Sequence, residues 1–255
     1  MAARRGRKVT TVLVVLFLLL VGVFVASDRV AAYAAEQTVA KQARKELVAR
    51  GISAPKDPTV AVGGFPFLTQ VLRGRYDRIT ISVRQATSQG ITLDRLDLVA
   101  TGVNAKASTL MNGNGPVTAD LVTGTATMGW AAVLHLVDLA GFSSAGASIT
   151  ALPDGRVQIK GPVAAFGVST TVVATGSVGI AGGKAKVTVT DITTEGGNIP
   201  EPIAQLLQDY KQELSREIAL PPLPYHLVLK SASTSAQGLL VTATATDVPL
   251  AGAPG

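Results

Sequence analysis

The feature that most restricts this chain lies near its start, where Val9 to Ala26 form 18 consecutive residues without a charge. As a helix they would measure about 27 Å at ~1.5 Å per residue, close to the roughly 30 Å hydrocarbon core of a bilayer. Arg4, Arg5, Arg7 and Lys8 precede the run, and a basic flank of this kind stays on the cytoplasmic side. Everything after Ala26 is therefore expected outside the cytoplasm. Two readings of the run stay open. It is an uncleaved anchor, favoured because it exceeds the usual apolar region of about 7–15 residues in a secretory signal. Or it is a signal cleaved after Ala32-Tyr33-Ala34, for which Val12 to Ala26 alone would serve, and the domain is secreted. With no cysteine in the chain, a lipoprotein anchor is excluded.

The formal charge of +6 says little about partners, because four of the 23 basic residues sit in Arg4–Lys8. The rest of the chain is near balance against 17 acidic residues. A nucleic-acid surface needs a basic stripe on the folded domain, often with stacking aromatics. None is visible, and that class is set aside. The absence of cysteine also removes a disulfide framework, a thiolate metal site and a cysteine nucleophile.

Beyond the apolar run, Asp28–Arg50 is rich in Ala, Lys, Arg, Glu and Gln and reads as a helix ending at Gly51. Val39, Ala43 and Leu47 share one face, as a stem packing on the domain would require. Ser53–Pro58 is a connector and Thr59–Val62 a short strand. Gly63, Gly64 and Pro66 then forbid a continuous helix. Phe65, Phe67, Leu68, Val71 and Leu72 form an apolar knot, the last three at helical spacing, with Gly74 as the stop. Ile79, Ile81 and Val83 face one side of a strand, and Arg78, Thr80, Ser82 and Arg84 the other.

Small and β-branched residues dominate the middle of the chain, which argues for extended sheet. Strands are expected at Ile91–Val103, Val117–Thr125, Ala147–Leu152, Arg156–Lys160, Val163–Gly176, Ser177–Ala181, Lys184–Ile192, Leu227–Ser231 and Leu239–Thr246. Asn112–Pro116 is a loop by composition, and Pro153-Asp154-Gly155 signals a hairpin. Two helices interrupt the strands. Thr127–Leu139 carries Trp130, Val133, Leu134 and Val137 on one face. Pro200–Leu220 carries Ile203, Leu206, Leu207, Tyr210, Leu214 and Ile218, with Pro221-Pro222 ending it. The organisation is a basic tail and apolar helix at 1–27, a helical stem at 28–51, an extracytoplasmic domain at 52–250 and a tail at 251–255.

Catalytic chemistry is hard to assemble from these residues. His135 and Asp138 stand three apart, but Gly141-Phe142-Ser143-Ser144-Ala145 lacks the second glycine of a nucleophile elbow and follows a helix, not a strand. The two histidines, His135 and His226, are far apart and show no metal-ligand spacing. Asp94 and Asp97 fall on opposite faces of a strand. No cofactor loop is present: Gly113 and Gly115 lack the third glycine and the strand–helix context. The chain is expected not to be an enzyme, and to hold no metal or cofactor.

Gly64-Phe65-Pro66-Phe67-Leu68-Thr69-Gln70-Val71-Leu72, followed by Gly74, Tyr76 and Ile79, resembles the signature of the LmeA family of actinobacterial cell-envelope proteins. Pro221-Pro222-Leu223-Pro224-Tyr225 and Gly238-Leu239-Leu240-Val241-Thr242-Ala243 are similar to its closing motif, so the resemblance covers roughly residues 30–250. It implies phospholipid binding and an α+β fold of the tubular lipid-binding, BPI-like kind. In that fold a curved antiparallel sheet wraps a long amphipathic helix, here preceded by the transmembrane helix. It also implies a link to lipoglycan (lipomannan) maturation, with phospholipid, the cytoplasmic membrane and envelope glycolipid-synthesis enzymes as partners. No catalytic residue carries over. On this reading Phe65, Phe67, Leu68, Val71, Leu72, Ile79, Ile81, Trp130, Leu134, Leu206, Leu207, Tyr210 and Leu214 line a lipid channel. Arg73, Arg75 and Arg78 meet an anionic head group. Two other classes remain: a non-catalytic scaffold for envelope enzymes, and an enzyme acting on lipid-linked glycans.

Overall fold

The computed structural model describes residues 3–88, 90–112, 115–139, 146–165, 168–181, 184–195, 217–218 and 227–251. One helix, α1 (Ala3–Ala49), contains both the apolar run and the expected stem without a break. It stops before Gly51, which holds a left-handed φ of 71°. From Val12 to Val25 the large side chains of α1 are exposed, and this helix is long and apolar enough to cross a membrane. Below that stretch it joins the core. Ala32 and Ala40 are buried, and Ala31, Ala35 and Val39 pack beside them, small residues that let the helix approach the sheet closely.

Two antiparallel sheets make up the rest. The first runs β1 (Thr59–Gly63), β2 (Arg75–Ser88), β3 (Ile91–Asn104), β4 (Val117–Gly129), β11 (Gly238–Ala251) and β10 (Val228–Ser235), in that spatial order. The second runs β5 (Ser148–Ala151), β6 (Val157–Ala165), β7 (Val168–Ala181), β8 (Lys184–Thr194) and β9 (Glu217–Ile218). Short helices α2 (Phe67–Arg73) and α3 (Ala107–Asn112) lie against α1, and α4 (Trp130–Leu139) meets β3, β4, β5 and β11. The second sheet approaches the first along β10, which runs against β7 and β8. There the Thr234 hydroxyl donates to the Gly155 carbonyl at 2.7 Å.

The inner face of the first sheet is organised by rows that cross its strands. Tyr76, Val103, Ala119 and Val248 are register partners in β2, β3, β4 and β11, and none exceeds 2% exposure. The next inward row is Ile79, Ala100, Val122 and Ala245, three residues away in every strand instead of two. Between them Asp77, Gly102, Asp120 and Asp247 stand level with one another, and no ladder pair joins them. Gly102 and Asp247 have φ of 61° and 52°. A Cβ on Gly102 would collide with the Asp120 carboxylate. Each strand thus bulges at the same level, so the registers stay intact while the pleat reverses phase and both rows point inward. This crease bends the sheet beside α1.

The structure amends several sequence expectations. Val163–Gly176 is not one strand: Ala165 pairs with Val168, so the chain reverses there and β6 and β7 form a hairpin. A uniformly small and β-branched composition gives periodicity no way to register that reversal. Thr127, Met128 and Gly129 belong to β4, because Met128 and Gly129 pair with Leu239 and Gly238 and Thr127 with Leu240; α4 begins only at Trp130. Asn112 closes the short helix α3, which composition did not reveal. Glu217 and Ile218 pair with β8, so the expected helix of Pro200–Leu220 does not reach Ile218. The ladder of an open sheet edge has taken a β-branched residue. The rest of that segment lies outside the described residues. The Pro153-Asp154-Gly155 hairpin forms as expected, with Gly155 at φ 79°.

Candidate functional site

The Gly64–Tyr76 corner is built by three mutually dependent contacts. α2 starts after Pro66 and ends at Gly74, whose φ of 63° and ψ of 23° let its amide reach the Gln70 and Val71 carbonyls. Gln70 is buried, donates from Nε2 to the Gly63 carbonyl at 3.2 Å and accepts from the Asp77 amide at 2.8 Å. It therefore ties α2 to β1 and β2 at once. Any Cβ at Gly64, where φ is 91°, would collide with Gln70 and Asp77. The third contact comes from α1: fully buried Asp28 accepts from the Leu68 amide at 2.9 Å and from Arg29 at 2.6 Å. Arg29 also lies 5.2 Å over the Phe65 ring, a cation–π contact.

The apolar residues of the corner divide into two sets. Phe67 and Ile79 are in the core, with Leu68, Val71 and Ile81 packed against it. The Phe67 and Tyr76 rings meet at 6.2 Å between centroids, and burial pushes the Tyr76 phenol above its ordinary pKa. Phe65, 58% exposed, and Leu72, 88% exposed, stand on the outside. Arg75 is committed to Asp120 at 2.6 Å and to Asn104 at 3.1 Å. Arg73 and Arg78 are exposed and make no ion pair among the described residues. Trp130 and Leu134 are half-buried on α4, apart from the cluster around Phe67. The enclosed Trp130 Nε1 has no hydrogen-bond partner among the described residues. Leu206, Leu207, Tyr210 and Leu214 lie outside the described residues.

Away from the corner both sheets keep one apolar face. In the first, Ile81, Leu98, Gly124 and Ala243 form one inward row, and Val83, Leu96, Ala126 and Val241 the next. Ile81, Leu98, Leu96, Ala126 and Val241 are only half-buried. In the second, Ile159 with Ala174 and Gly161 with Val172 continue such a face, and these four residues are likewise half-buried. The opposite face of the first sheet is polar, and there Asp97 accepts from Ser82 at 2.5 Å and Arg95 at 2.6 Å. Burial pushes the Asp97 carboxyl up, but the Ser82 and Arg95 hydrogen bonds outweigh it and hold the group below the usual aspartate range. A cavity of about 340 Å³ lies elsewhere, at the far end of α1, lined by Arg44, Leu47, Ile52 and Lys56 among others.

A family model described as LmeA-like phospholipid-binding matches residues 26–244 of the 255. The chain belongs to that family. No curated protein and no solved structure matches it. The LmeA-like match begins at the last residue of the uncharged run, takes in the corner and the second sheet, and ends within β11, before the crease residue Asp247. The family is a phospholipid-binding one, not a known enzyme family. His135 is exposed near Gly90, and residues 141–145 lie outside the described set. No group of three or more metal-ligating side chains occurs among the described residues.

Two residues that sequence reasoning passed over prove structural keys of the corner, Asp28 and Gln70. Asp28 carried a signal: it is the first charge after the apolar run, where a carboxylate is costly unless it has partners. Gln70 carried none beyond its place in the family signature.

Proposed function

We propose that this LmeA-like protein is an anchored phospholipid-binding or lipid-transfer protein of the cell envelope, with its sheets outside the cytoplasm. One observation carries the reading. The inner apolar rows continue past the part closed by α1 and α2, and there Leu96, Leu98, Ala126 and Val241 stay half-buried. An acyl chain laid along those rows would remove the same surface from water that core side chains do, at about 25 cal/mol per Å². At about 0.8 kcal/mol per buried CH₂, a two-chain lipid gains affinity without a specific head-group contact. Trp130 and Leu134 flank these rows on α4. Leu206, Leu207, Tyr210 and Leu214 are the natural residues to close them, as in a BPI-like sheet wrapped on a helix. Arg73 and Arg78 are the two guanidinium groups of the corner left for an anionic head group. A role in lipoglycan maturation, beside glycolipid-synthesis enzymes, belongs to this reading through the family resemblance alone.

The test is photo-cross-linking of the full chain in vesicles containing a phospholipid with a diazirine in its acyl chain. Adducts on inward residues of β3, β4 and β11 are expected. Adducts confined to α1 would reject the lipid-binding reading and leave the scaffold. Orientation has its own check: a C-terminal reporter should behave as extracytoplasmic, and the protein should stay with membranes through a high-salt wash.

A further inference from the structure

We infer that the α2 corner is a second membrane contact, seated in the head-group layer of the same bilayer that α1 crosses. The inference rests on the anchoring role of α1 and adds where the domain touches lipid. Its basis is a distance that the fold fixes. The uncharged run ends at Ala26, and Asp28 comes two residues later on the same unbroken helix, about 3 Å along the axis. Asp28 holds the Leu68 amide at 2.9 Å, and Arg29 reaches the Gly64 carbonyl at 3.5 Å and the Phe65 ring at 5.2 Å. The start of α2 is thereby pinned within about one helical turn of the hydrocarbon edge. The head-group layer is roughly 5–8 Å deep on each side, so Phe65 falls inside it. α2 has seven residues, about 10 Å of helix, so Leu72 near its far end lies within about that distance of the level of Phe65.

What the corner exposes there suits a lipid interface. Phe65 and Leu72 are the large apolar side chains that it turns outward. Val30, 70% exposed, stands on α1 about 6 Å past Ala26, at the same depth, and Tyr33, 63% exposed, follows about 10 Å past it, at the outer edge of that layer. Arg73, exposed at the end of α2, flanks them, and arginine pairs with phosphate through two parallel hydrogen bonds. Aromatic and basic groups of this sort settle at the membrane–water boundary. In water, Leu72 at 88% exposure on a short helix gains nothing; in a head-group layer it is buried. Contact at this corner would also hold the core end of the sheet against the leaflet from which lipid is drawn.

The chain has no cysteine, so single labels are clean. Phe65→Cys, Leu72→Cys and, as a distant exposed control, Ser231→Cys in the full chain would carry an environment-sensitive fluorophore. The protein would be reconstituted in vesicles of phosphatidylcholine and phosphatidylglycerol. Quenching by lipids spin-labelled near the head group is expected at positions 65 and 72 and not at 231. Equal quenching at all three, with α1 resistant to alkaline extraction, overturns the inference. Extraction of the chain by alkali overturns it too, through the loss of the anchor. Quenching at the corner without acyl-chain cross-links on the sheet keeps the inference and sinks the lipid-binding reading. The double variant Phe65→Asp/Leu72→Asp should retain the fold and the anchor yet lower acyl-chain cross-linking about tenfold, the factor that 1.4 kcal/mol of lost contact represents.

Discussion

The two ends of one sheet face make the most instructive comparison in this molecule. Near the crease, Tyr76, Val103, Ala119 and Val248 are closed off from solvent. A few rows away along the same strands, Leu98, Leu96, Ala126 and Val241 point the same way and remain half-buried, although Val83 and Ala243 in those rows are buried. Apart from the Phe67 and Tyr76 rings at the first end, composition does not separate them, since both ends are aliphatic and alternate with polar residues. The difference is the cover. α1 and α2 close the first end, while the described residues leave the second end incompletely covered. One end is a closed protein core, and the other is the part on which the proposed lipid site rests.

The largest effect expected from breaking that contrast comes from burying a charge at each end. Val103→Asp places an unpaired carboxylate at a site with 0% exposure and should cost about 4 kcal/mol or more. Leu98→Asp, on the half-buried rows, should cost about 1–2 kcal/mol while abolishing acyl-chain cross-linking. Thermal unfolding with equal losses for the two variants would show that the ends are equivalent.

A smaller effect is expected at the crease. Gly102→Val forces a β-branched residue into a left-handed φ and against Asp120, and should destabilise by about 2–3 kcal/mol. Gly179→Val, in open space within β7, should be nearly neutral by comparison. Similar denaturation midpoints would mean that the crease is not needed to turn the sheet.

The smallest effect tests the polar outer face. Asp97 has a carboxyl held below its ordinary value in the folded protein, so it stabilises the fold above the unfolded pKa. That contribution is lost as pH falls through the lowered folded value. Asp97→Asn should therefore reduce stability at neutral pH by under about 1 kcal/mol and converge with wild type in acid. A difference that persists or grows in acid would contradict the assignment.

How much of this was legible beforehand tracks the range of the interactions. The α2 corner was readable because its signals are local: two glycines and a proline that exclude a continuous helix, an apolar triplet at helical spacing, and Gly74 in the position of a stop. Most strands were readable from period-two alternation, and the Pro153-Asp154-Gly155 turn from its residue types. Of the candidate site, the sequence named Phe65, Phe67 and Leu72 together. Only the structure divided them, Phe67 to the core and the other two to the surface, because α1 covers one side of the corner and not the other.

By itself, then, the sequence determined those elements whose causes lie within a few residues. These are the uncharged run with its basic flank, the glycine and proline punctuation, the alternation of the strands and the family signature. Tertiary structure decided whatever depends on residues far apart in the chain. It made the uncharged run and the expected stem one helix, and it placed Asp28 against an amide forty residues away. It also aligned Asp77, Gly102, Asp120 and Asp247 into a single crease. No local pattern marks that row, since each residue is an ordinary turn or surface residue in its own strand. Their alignment arises only when four strands pair in register and must all keep their apolar side chains against the same helix.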